Sequence, residues 1–118
     1  MDPRINEICD YISFNWYEEY CSRELLADIV SEISEYSSVI ISEFGLETDE
    51  DVPQTKTYLD AIDIFRNLDI RHCIAWYWRA DYNLGAQPPP GTGFNLAKNV
   101  DGDPRPAFYI VVSARVER

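Results

Sequence analysis

The stretch Val39–Thr48 reads VIISEFGLET, in which three aliphatic residues and a serine lead directly into a carboxylate, an aromatic ring and a glycine. An uninterrupted apolar run of this kind is typical of a strand that is buried on both faces of a parallel sheet. Enzymes built on parallel sheets place their chemistry at the carboxyl ends of the strands. Glu43 occupies that position, which makes it the first candidate for a functional residue.

On both sides of this stretch, apolar runs with strand character alternate with segments of helical periodicity. Ser22 is predicted to cap the first helix and Asp51 the second, which tolerates Pro53 in its first turn. After Pro106, the run Ile110-Val111-Val112 fits a helix or a strand, and the preceding proline favours a helix. The predicted elements, in chain order, are strand Tyr11–Asn15, helix Arg23–Tyr36, strand Val39–Ser42, helix Asp51–Asn67, strand Cys73–Trp78, a loop over Arg79–Pro104 and helix Ala107–Arg115.

The order of these elements predicts the fold class. Strands joined by amphipathic helices imply right-handed βαβ units, so we expect an α/β fold with a parallel sheet, forming a single domain over residues 1–118. Apolar residues spaced by three and four predict the buried face of each of the first two helices. The residues predicted to be buried are Leu25, Leu26, Ile29, Val30 and Ile33 in the first helix, and Tyr58, Leu59, Ile62, Phe65 and Leu68 in the second.

The chain is strongly acidic, with 21 acidic and 10 basic side chains. Such a surface repels phosphate backbones and anionic lipids, so we expect neither a nucleic acid nor a membrane as a partner, although the charge can equally serve solubility alone. We see no export signal and no stretch of roughly 20 apolar residues. Three cysteines, Cys9, Cys21 and Cys73, then predict reduced thiols and a cytoplasmic location. With one histidine and scattered thiols, we expect no metal and no cofactor.

Three strand ends, taken in order, resemble the last three strands of a (β/α)8 retaining glycoside hydrolase of the cellulase and β-mannanase group. Asp10–Tyr17 resembles the sixth strand, which ends in polar and aromatic residues. Ile41–Gly45 resembles the seventh strand, which carries the nucleophile, and Ala75–Trp78 resembles the eighth, with its tryptophan platform. Gly93–Leu96 and Asp101–Ala107 resemble the tail of such barrels. The resemblance implies a partial TIM barrel of about three βα units.

The same resemblance implies a role for each residue at the strand ends. Glu43 would be the nucleophile that attacks the sugar. Trp76 and Trp78 would bind sugar rings, with Trp76 as the better platform. Asn15 and Tyr17 would donate hydrogen bonds to sugar hydroxyls. We therefore expect a carbohydrate as substrate or ligand.

The residues alone leave a structural alternative open for each of these assignments. Glu43 could be an ordinary carboxylate at a strand end, paired with an arginine such as Arg79. Either tryptophan could pack in the core, and the polar residues after the first strand could be turn residues. His72 precedes the third strand, away from the expected site, and we interpret it as structural or solvated.

Half of the chemistry that the resemblance implies is missing from these residues. A full barrel needs about 250 residues, and a retaining glycosidase needs a second carboxyl group roughly 5–5.5 Å from the nucleophile. The family takes this acid/base glutamate from the fourth strand, usually in an Asn-Glu pair, whereas Asn6-Glu7 precedes the first strand here. We therefore expect a glycoside hydrolase-like chain that needs the missing barrel portion or forms a homo-oligomer. The alternative is a non-catalytic carbohydrate-binding or structural remnant.

Overall fold

The computed structural model describes residues 10–76, 96 and 103–114. They form β1 (Tyr11–Asn15), α1 (Arg23–Ser34), β2 (Ser38–Phe44), α2 (Asp51–Asn67), β3 (His72–Ala75) and α3 (Pro106–Ser113). The predicted order of elements is confirmed, including the helix that follows the last proline. Strand β3 is shorter than predicted because it stops at Ala75, and the predicted strand residues 77 and 78 lie outside the described residues.

The three strands form one parallel sheet in which β2 lies between β1 and β3. The register of β1 against β2 is regular from the pair Tyr11–Ser38 to the pair Phe14–Ile41. Helix α1 connects β1 to β2, and helix α2 connects β2 to β3. The predicted α/β class is therefore confirmed. Because the strands are parallel, their carboxyl ends all lie at the same end of the sheet.

The chain is organised as two compact units. The first contains the described residues up to Phe44 together with Asp63–Ile74, and it holds nearly all of the sheet. The second contains Gly45–Ile62 and the described residues from Ala75 onward. Helix α2 contributes residues to both units. A single domain over residues 1–118 stays a prediction.

Helix α1 begins where the sequence predicts, because the Ser22 hydroxyl accepts a hydrogen bond from the backbone N–H of Leu25 at 3.1 Å. A cap of this kind contributes about 1 kcal/mol. The buried residues of the helix are Leu26, Val30 and Ile33. Leu25 is 50% exposed, so the prediction of its burial is wrong. Leu25 lies at the edge of the apolar face of the helix, where the side chain is only partly covered by the core.

The core of the first unit contains a cluster of three aromatic rings. Trp16 is 2% exposed, and its indole packs edge to face against Phe65 with the ring centroids 5.6 Å apart. Phe44 packs against the same phenyl ring at 5.0 Å. Trp16 follows β1 directly and continues the inward alternation of Ile12 and Phe14. The end of β1 is thereby anchored in the core.

The second unit is packed around the first half of α2. Tyr58 and Ile62 are buried as predicted, whereas Leu59 is 47% exposed, which corrects its predicted burial for the same reason as in α1. Burial raises the pKa of Tyr58 above its ordinary value, and the positive charge of Arg105 opposes that shift. Arg105 is itself buried and donates from Nε to Asp51 Oδ1 at 2.9 Å. This bond connects the start of α2 to the residue that precedes α3.

The three strands are buried to different extents. Residues of β1 alternate between exposed and half-buried, and three of the four residues of β3 are exposed. In β2, by contrast, Val39, Ile41 and Phe44 are buried. Within the described residues, β2 is thus the most deeply packed strand, and β3 is exposed on both faces.

Candidate active site at the carboxyl end of strand β2

The register between β1 and β2 changes at their last pair of residues. Phe14 lies opposite Ile41, but Asn15 lies opposite Glu43, so Ser42 is an extra residue in β2. An insertion of this kind is a β-bulge, which bends the strand and redirects the side chains beside it. It brings Ser42 and Glu43 together next to Asn15 at the carboxyl end of the sheet.

Hydrogen bonds hold both residues of the bulge. The backbone N–H of Trp16 donates to the carbonyl oxygen of Glu43 at 2.8 Å, which extends the pairing of the two chain segments beyond β1. The Ser42 hydroxyl donates to Asn15 Oδ1, also at 2.8 Å. The amide nitrogen of Asn15 has no hydrogen-bond partner in the described part of the chain, so it is available to donate to a ligand.

The carboxylate of Glu43 is bound by a tyrosine from the neighbouring segment. Tyr17 donates its hydroxyl proton to Glu43 Oε2 at 2.7 Å, and both side chains are half-buried. A hydrogen bond to an ionised group is among the stronger ones in proteins, so it fixes the orientation of the carboxylate. The other oxygen, Oε1, has no hydrogen-bond partner among the described residues. One oxygen is therefore held and the other is open.

The described residues do not pair Glu43 with a cation. Their ion pairs join other side chains, for example Arg23 with Glu18. Arg79, which the sequence suggests as a structural partner, lies outside the described residues. Within the described part of the chain, the negative charge of Glu43 is stabilised by the Tyr17 hydroxyl and not by a guanidinium or ammonium group.

The direction of Tyr17 follows from the burial of its neighbour. Trp16 donates from Nε1 to the carbonyl oxygen of Cys21 at 2.9 Å, which closes the loop between β1 and α1. The carbonyl oxygen of Tyr17 accepts from the backbone N–H groups of Tyr20 and Cys21, both at 3.0 Å. Sequence reasoning named Tyr17 as a sugar ligand and missed its bond to Glu43. The alternation that carries Trp16 inward indicates that Tyr17 faces outward, but the bond to Glu43 also depends on the register of β2 against β1.

Trp76 belongs to the second unit. It follows β3 directly and is 39% exposed. Its carbonyl oxygen accepts a hydrogen bond from the buried hydroxyl of Tyr58 at 3.1 Å, so its backbone is anchored while the residue remains accessible. The partial exposure is compatible with a sugar platform. Trp78, the second predicted platform, lies outside the described residues.

The remaining sequence predictions concern His72, metals and membranes. His72 is the first residue of β3 and lies at the end of the sheet where the strands begin, away from Glu43. Its exposed ring contacts the ring of Tyr11 edge to face. Within residues 10–76, 96 and 103–114, no group of three or more His, Cys, Asp or Glu side chains could hold a metal ion. None of the described helices is long and apolar enough to cross a membrane.

The fold of this chain is similar to that of a solved structure, whereas comparisons of its sequence find no match. No family model and no curated protein sequence matches this chain. The fold is similar to that of the hyperthermostable endo-1,4-β-D-mannanase from Thermotoga petrophila RKU-1, solved with maltose and glycerol, with a TM-score of 0.65 and 18% sequence identity. The match covers 93% of this chain and 35% of that chain.

This similarity identifies the architecture. The mannanase is a TIM barrel, and the three parallel strands with their helices form a fragment of that fold. The chain spans about a third of the length of the mannanase. In a TIM barrel, the carboxyl ends of the strands are the catalytic face, and Glu43 lies at such an end.

Proposed function

We propose that this chain provides the nucleophile and part of the sugar-binding surface of a retaining β-glycosidase, and that it corresponds to strands six to eight of a cellulase- or β-mannanase-like barrel. The observation that carries the proposal is the position of Glu43. It lies at the carboxyl end of a parallel strand, and its carboxylate is oriented by Tyr17 through a 2.7 Å hydrogen bond. The structural similarity to an endo-mannanase supports the same reaction class.

The arrangement around Glu43 suits covalent glycoside chemistry. Oε1 of Glu43 attacks the anomeric carbon, the glycosidic C–O bond breaks, and the leaving oxygen takes a proton from an acid. The product is a glycosyl ester on Glu43, which water then hydrolyses to release the sugar and regenerate the carboxylate. Holding Oε2 on Tyr17 restricts the carboxylate to one orientation, which lowers the entropic cost of reaching the attacking geometry.

The other strand-end residues are proposed to bind the substrate. The free amide N–H group of Asn15 donates to a sugar hydroxyl, and Tyr17 lines the same site. Trp76 and Trp78 are proposed to bind sugar rings, since aromatic rings bind the C–H surface of a sugar through apolar contact. These roles extend the catalytic proposal to a carbohydrate substrate.

The acid/base carboxyl group is proposed to come from outside this set of residues. A retaining mechanism requires it roughly 5–5.5 Å from Glu43. The family that the sequence resembles places it on the fourth strand, which has no counterpart among β1, β2 and β3. Activity on an ordinary glycoside therefore requires the remaining barrel portion, or association with further copies of this chain that supply an equivalent carboxylate.

A second candidate function is carbohydrate binding without turnover. The observation that favours it is the exposure of Trp76 on an anchored backbone. In that case Glu43 and Tyr17 would serve as hydrogen-bonding groups for a sugar and would form no covalent intermediate. The two functions differ in whether a bond forms to Glu43, and this difference is directly measurable.

The experiment that separates them is covalent trapping with a 2,4-dinitrophenyl 2-deoxy-2-fluoro-β-glycoside. Dinitrophenolate leaves without protonation, so the missing acid is not needed, and the fluorine slows hydrolysis of the ester so that it accumulates. We expect the intact mass to rise by one fluoroglycosyl group and peptide mapping to locate that group on Glu43.

Two variants control the trapping experiment. Glu43→Gln should remain unlabelled. Glu19→Gln, an exposed carboxylate in the loop after β1, should be labelled like the wild-type chain. Equal labelling of wild type and Glu43→Gln would remove Glu43 from the mechanism. Saturable sugar binding with no labelling of any carboxylate would favour the non-catalytic function.

A further inference from the structure

A cavity of about 450 Å³ lies at the end of the sheet opposite to Glu43. Its wall includes Tyr11, Ser38 and His72, which are the first residues of β1, β2 and β3. The remaining wall comes from the end of α1 and from the turn between α2 and β3. We call it the amino-end cavity. Its volume lies within the range of small-molecule sites, which is roughly 300–1,000 Å³.

Three apolar residues form part of the lining of the amino-end cavity. Val30, Val39 and Ile70 line it and are all buried. Two of them come from buried positions on α1 and β2. The exposed lining as a whole is mostly polar, so a ligand that fits it is polar and has a small C–H surface.

The rim of the cavity is rich in hydroxyl groups. Ser34, Ser38 and Tyr11 line the cavity, and none of their hydroxyl groups has a hydrogen-bond partner among residues 10–76, 96 and 103–114. The Ser37 hydroxyl, in contrast, already donates to the carbonyl oxygen of Asp10 at 3.0 Å. The ring of His72 meets that of Tyr11 edge to face at 6.4 Å and closes one side. Three hydroxyls therefore remain open to a ligand.

The charges at the rim do not select an anion. Arg71 donates from Nε to Asp69 Oδ1 at 3.2 Å, so the guanidinium is balanced by a carboxylate. Helices α1 and α2 also end at Ser34 and Asn67, and the carboxyl ends of helices carry partial negative charge that disfavours anions. The ligand that fits this wall is neutral and rich in hydroxyl groups.

Asp69 adopts the left-handed backbone conformation, which glycine adopts at lower steric cost than a residue with a Cβ atom. Its φ is 54°, in the left-handed region, and the turn is closed by hydrogen bonds from Asp69 N–H to the Arg66 carbonyl and from Ile70 N–H to the Phe65 carbonyl. This is a Schellman motif, in which glycine is the usual residue at the left-handed position. An aspartate in place of the glycine keeps a carboxylate beside Arg71 at the rim of the cavity. An observed strained residue of this kind is a reason to look for function.

We propose that the amino-end cavity binds a small neutral polyol or saccharide, at a site separate from Glu43. The hydroxyls of Ser34, Ser38 and Tyr11 exchange hydrogen bonds with those of the ligand, and the small apolar part of the lining contacts its C–H groups. Asp69 and Arg71 provide an acceptor and a donor at the rim. The site acts as an additional contact for carbohydrate and takes no part in bond cleavage.

The proposal is tested by amide NMR titration of the whole chain with methyl β-D-glucopyranoside and, separately, with glycerol. We expect saturable shift changes at Ser34, Ser38, Asp69 and His72 with at least one of the two compounds. Inorganic phosphate at equal ionic strength should leave these amides unchanged. Absence of saturable changes with both neutral compounds, or equal changes with phosphate, would overturn the proposal.

Matched variants locate the binding. Ser38→Ala should weaken it roughly threefold to tenfold, the equivalent of one hydrogen bond. Ser31→Ala, an exposed serine on α1 outside the cavity, should have no effect. Glu43→Gln should leave binding intact because Glu43 lies at the other end of β2, so failure of this site and failure of the proposed catalytic function are distinguishable. Equal affinity of Ser38→Ala and wild type would contradict the assignment.

Discussion

Around the carboxyl end of β2 the polar side chains are hydrogen-bonded to one another, whereas around its amino end the hydroxyls of Ser34 and Ser38 have no partner among the described residues. At the first end a bulge, a tyrosine hydroxyl and a buried tryptophan hold Glu43 in one orientation. At the second, a mostly polar cavity is lined by hydroxyls that have no hydrogen-bond partner in the described part of the chain. Chemistry requires a reacting group held rigidly, while weak binding requires only accessible donors and acceptors. Strand β2 thus has a hydrogen-bonded candidate catalytic group at its carboxyl end and a candidate binding cavity at its amino end.

The largest expected effect comes from removing the anchor beneath the carboxyl end. Trp16→Ala should lower the free energy of unfolding by about 3–5 kcal/mol, because a buried indole and its contact with Phe65 are lost. Urea unfolding followed by circular dichroism measures this change. The matched variant at the other end is Tyr11→Ala, whose side chain is 56% exposed and should cost about 0.5 kcal/mol or less. Similar losses for both variants would mean that the two ends are equally packed.

The chain has tyrosines in three environments: Tyr11 is exposed, Tyr17 is half-buried and Tyr58 is fully buried. Tyr58 shows how full burial changes the pKa of a phenol. Its pKa is raised by burial, so the folded chain keeps the phenol proton at pH values where the unfolded chain, with a pKa of about 10, has lost it. The buried neutral phenol contributes its full share to the free energy of unfolding below pH 10. Above pH 10 the free energy of unfolding falls by up to about 1.4 kcal/mol per pH unit.

Tyr58→Phe should remove that alkaline dependence. At neutral pH the variant should be less stable than wild type because the hydrogen bond to the Trp76 carbonyl is lost. Between pH 10 and 12 the two free energies of unfolding should converge, and urea titrations at each pH measure them. A constant difference between the two chains over this range would contradict the account of a buried phenol.

The bond between Tyr17 and Glu43 provides the next test. Tyr17→Phe removes the donor to Oε2 and keeps the ring, so we expect a loss of about 0.5–1.5 kcal/mol in stability. Covalent labelling of Glu43 should slow roughly 10- to 100-fold, because the carboxylate is no longer held in its attacking orientation. Tyr20→Phe is the control, since Tyr20 is 82% exposed and its hydroxyl has no partner in the described part of the chain. Equal labelling rates for the two variants would show that Tyr17 does not position Glu43.

The smallest expected effect lies at the amino end and has the opposite sign. Asp69→Gly should raise the free energy of unfolding by about 0.5–1 kcal/mol, because glycine adopts the left-handed conformation without steric cost. The exposed pair with Arg71 contributes too little to offset this gain. The same variant should bind methyl β-D-glucopyranoside more weakly. A variant that is less stable than wild type would show that Asp69 serves the fold and not a ligand.

Much of the architecture was predictable because it depends on local signals. Ser22 marks the start of α1 through its own side chain, and Pro106 favours a helix over a strand in an ambiguous apolar run. A short apolar run with strand-forming residues locates β1, and a continuous apolar run locates β2. These features depend on residues within one or two turns of each other, so the sequence contains the information directly.

The geometry of the site depends on pairing between distant segments and could not be predicted in the same way. The bulge at Ser42 exists only in the register of β2 against β1, and nothing in the VIISEFGLET stretch indicates an extra residue. Tyr17 was named from its position, but its bond to Glu43 requires that register. Leu25 and Leu59 were wrongly predicted to be buried because periodicity defines a stripe and not its buried width.

The central claim is that Glu43 forms a covalent bond to a sugar, and the most direct measurement is the position of the label after trapping with a 2,4-dinitrophenyl 2-deoxy-2-fluoro-β-glycoside. The account predicts one fluoroglycosyl group per chain, located by peptide mass spectrometry on Glu43 and absent from Glu43→Gln. A label on any other carboxylate, or one that persists in Glu43→Gln, would contradict it.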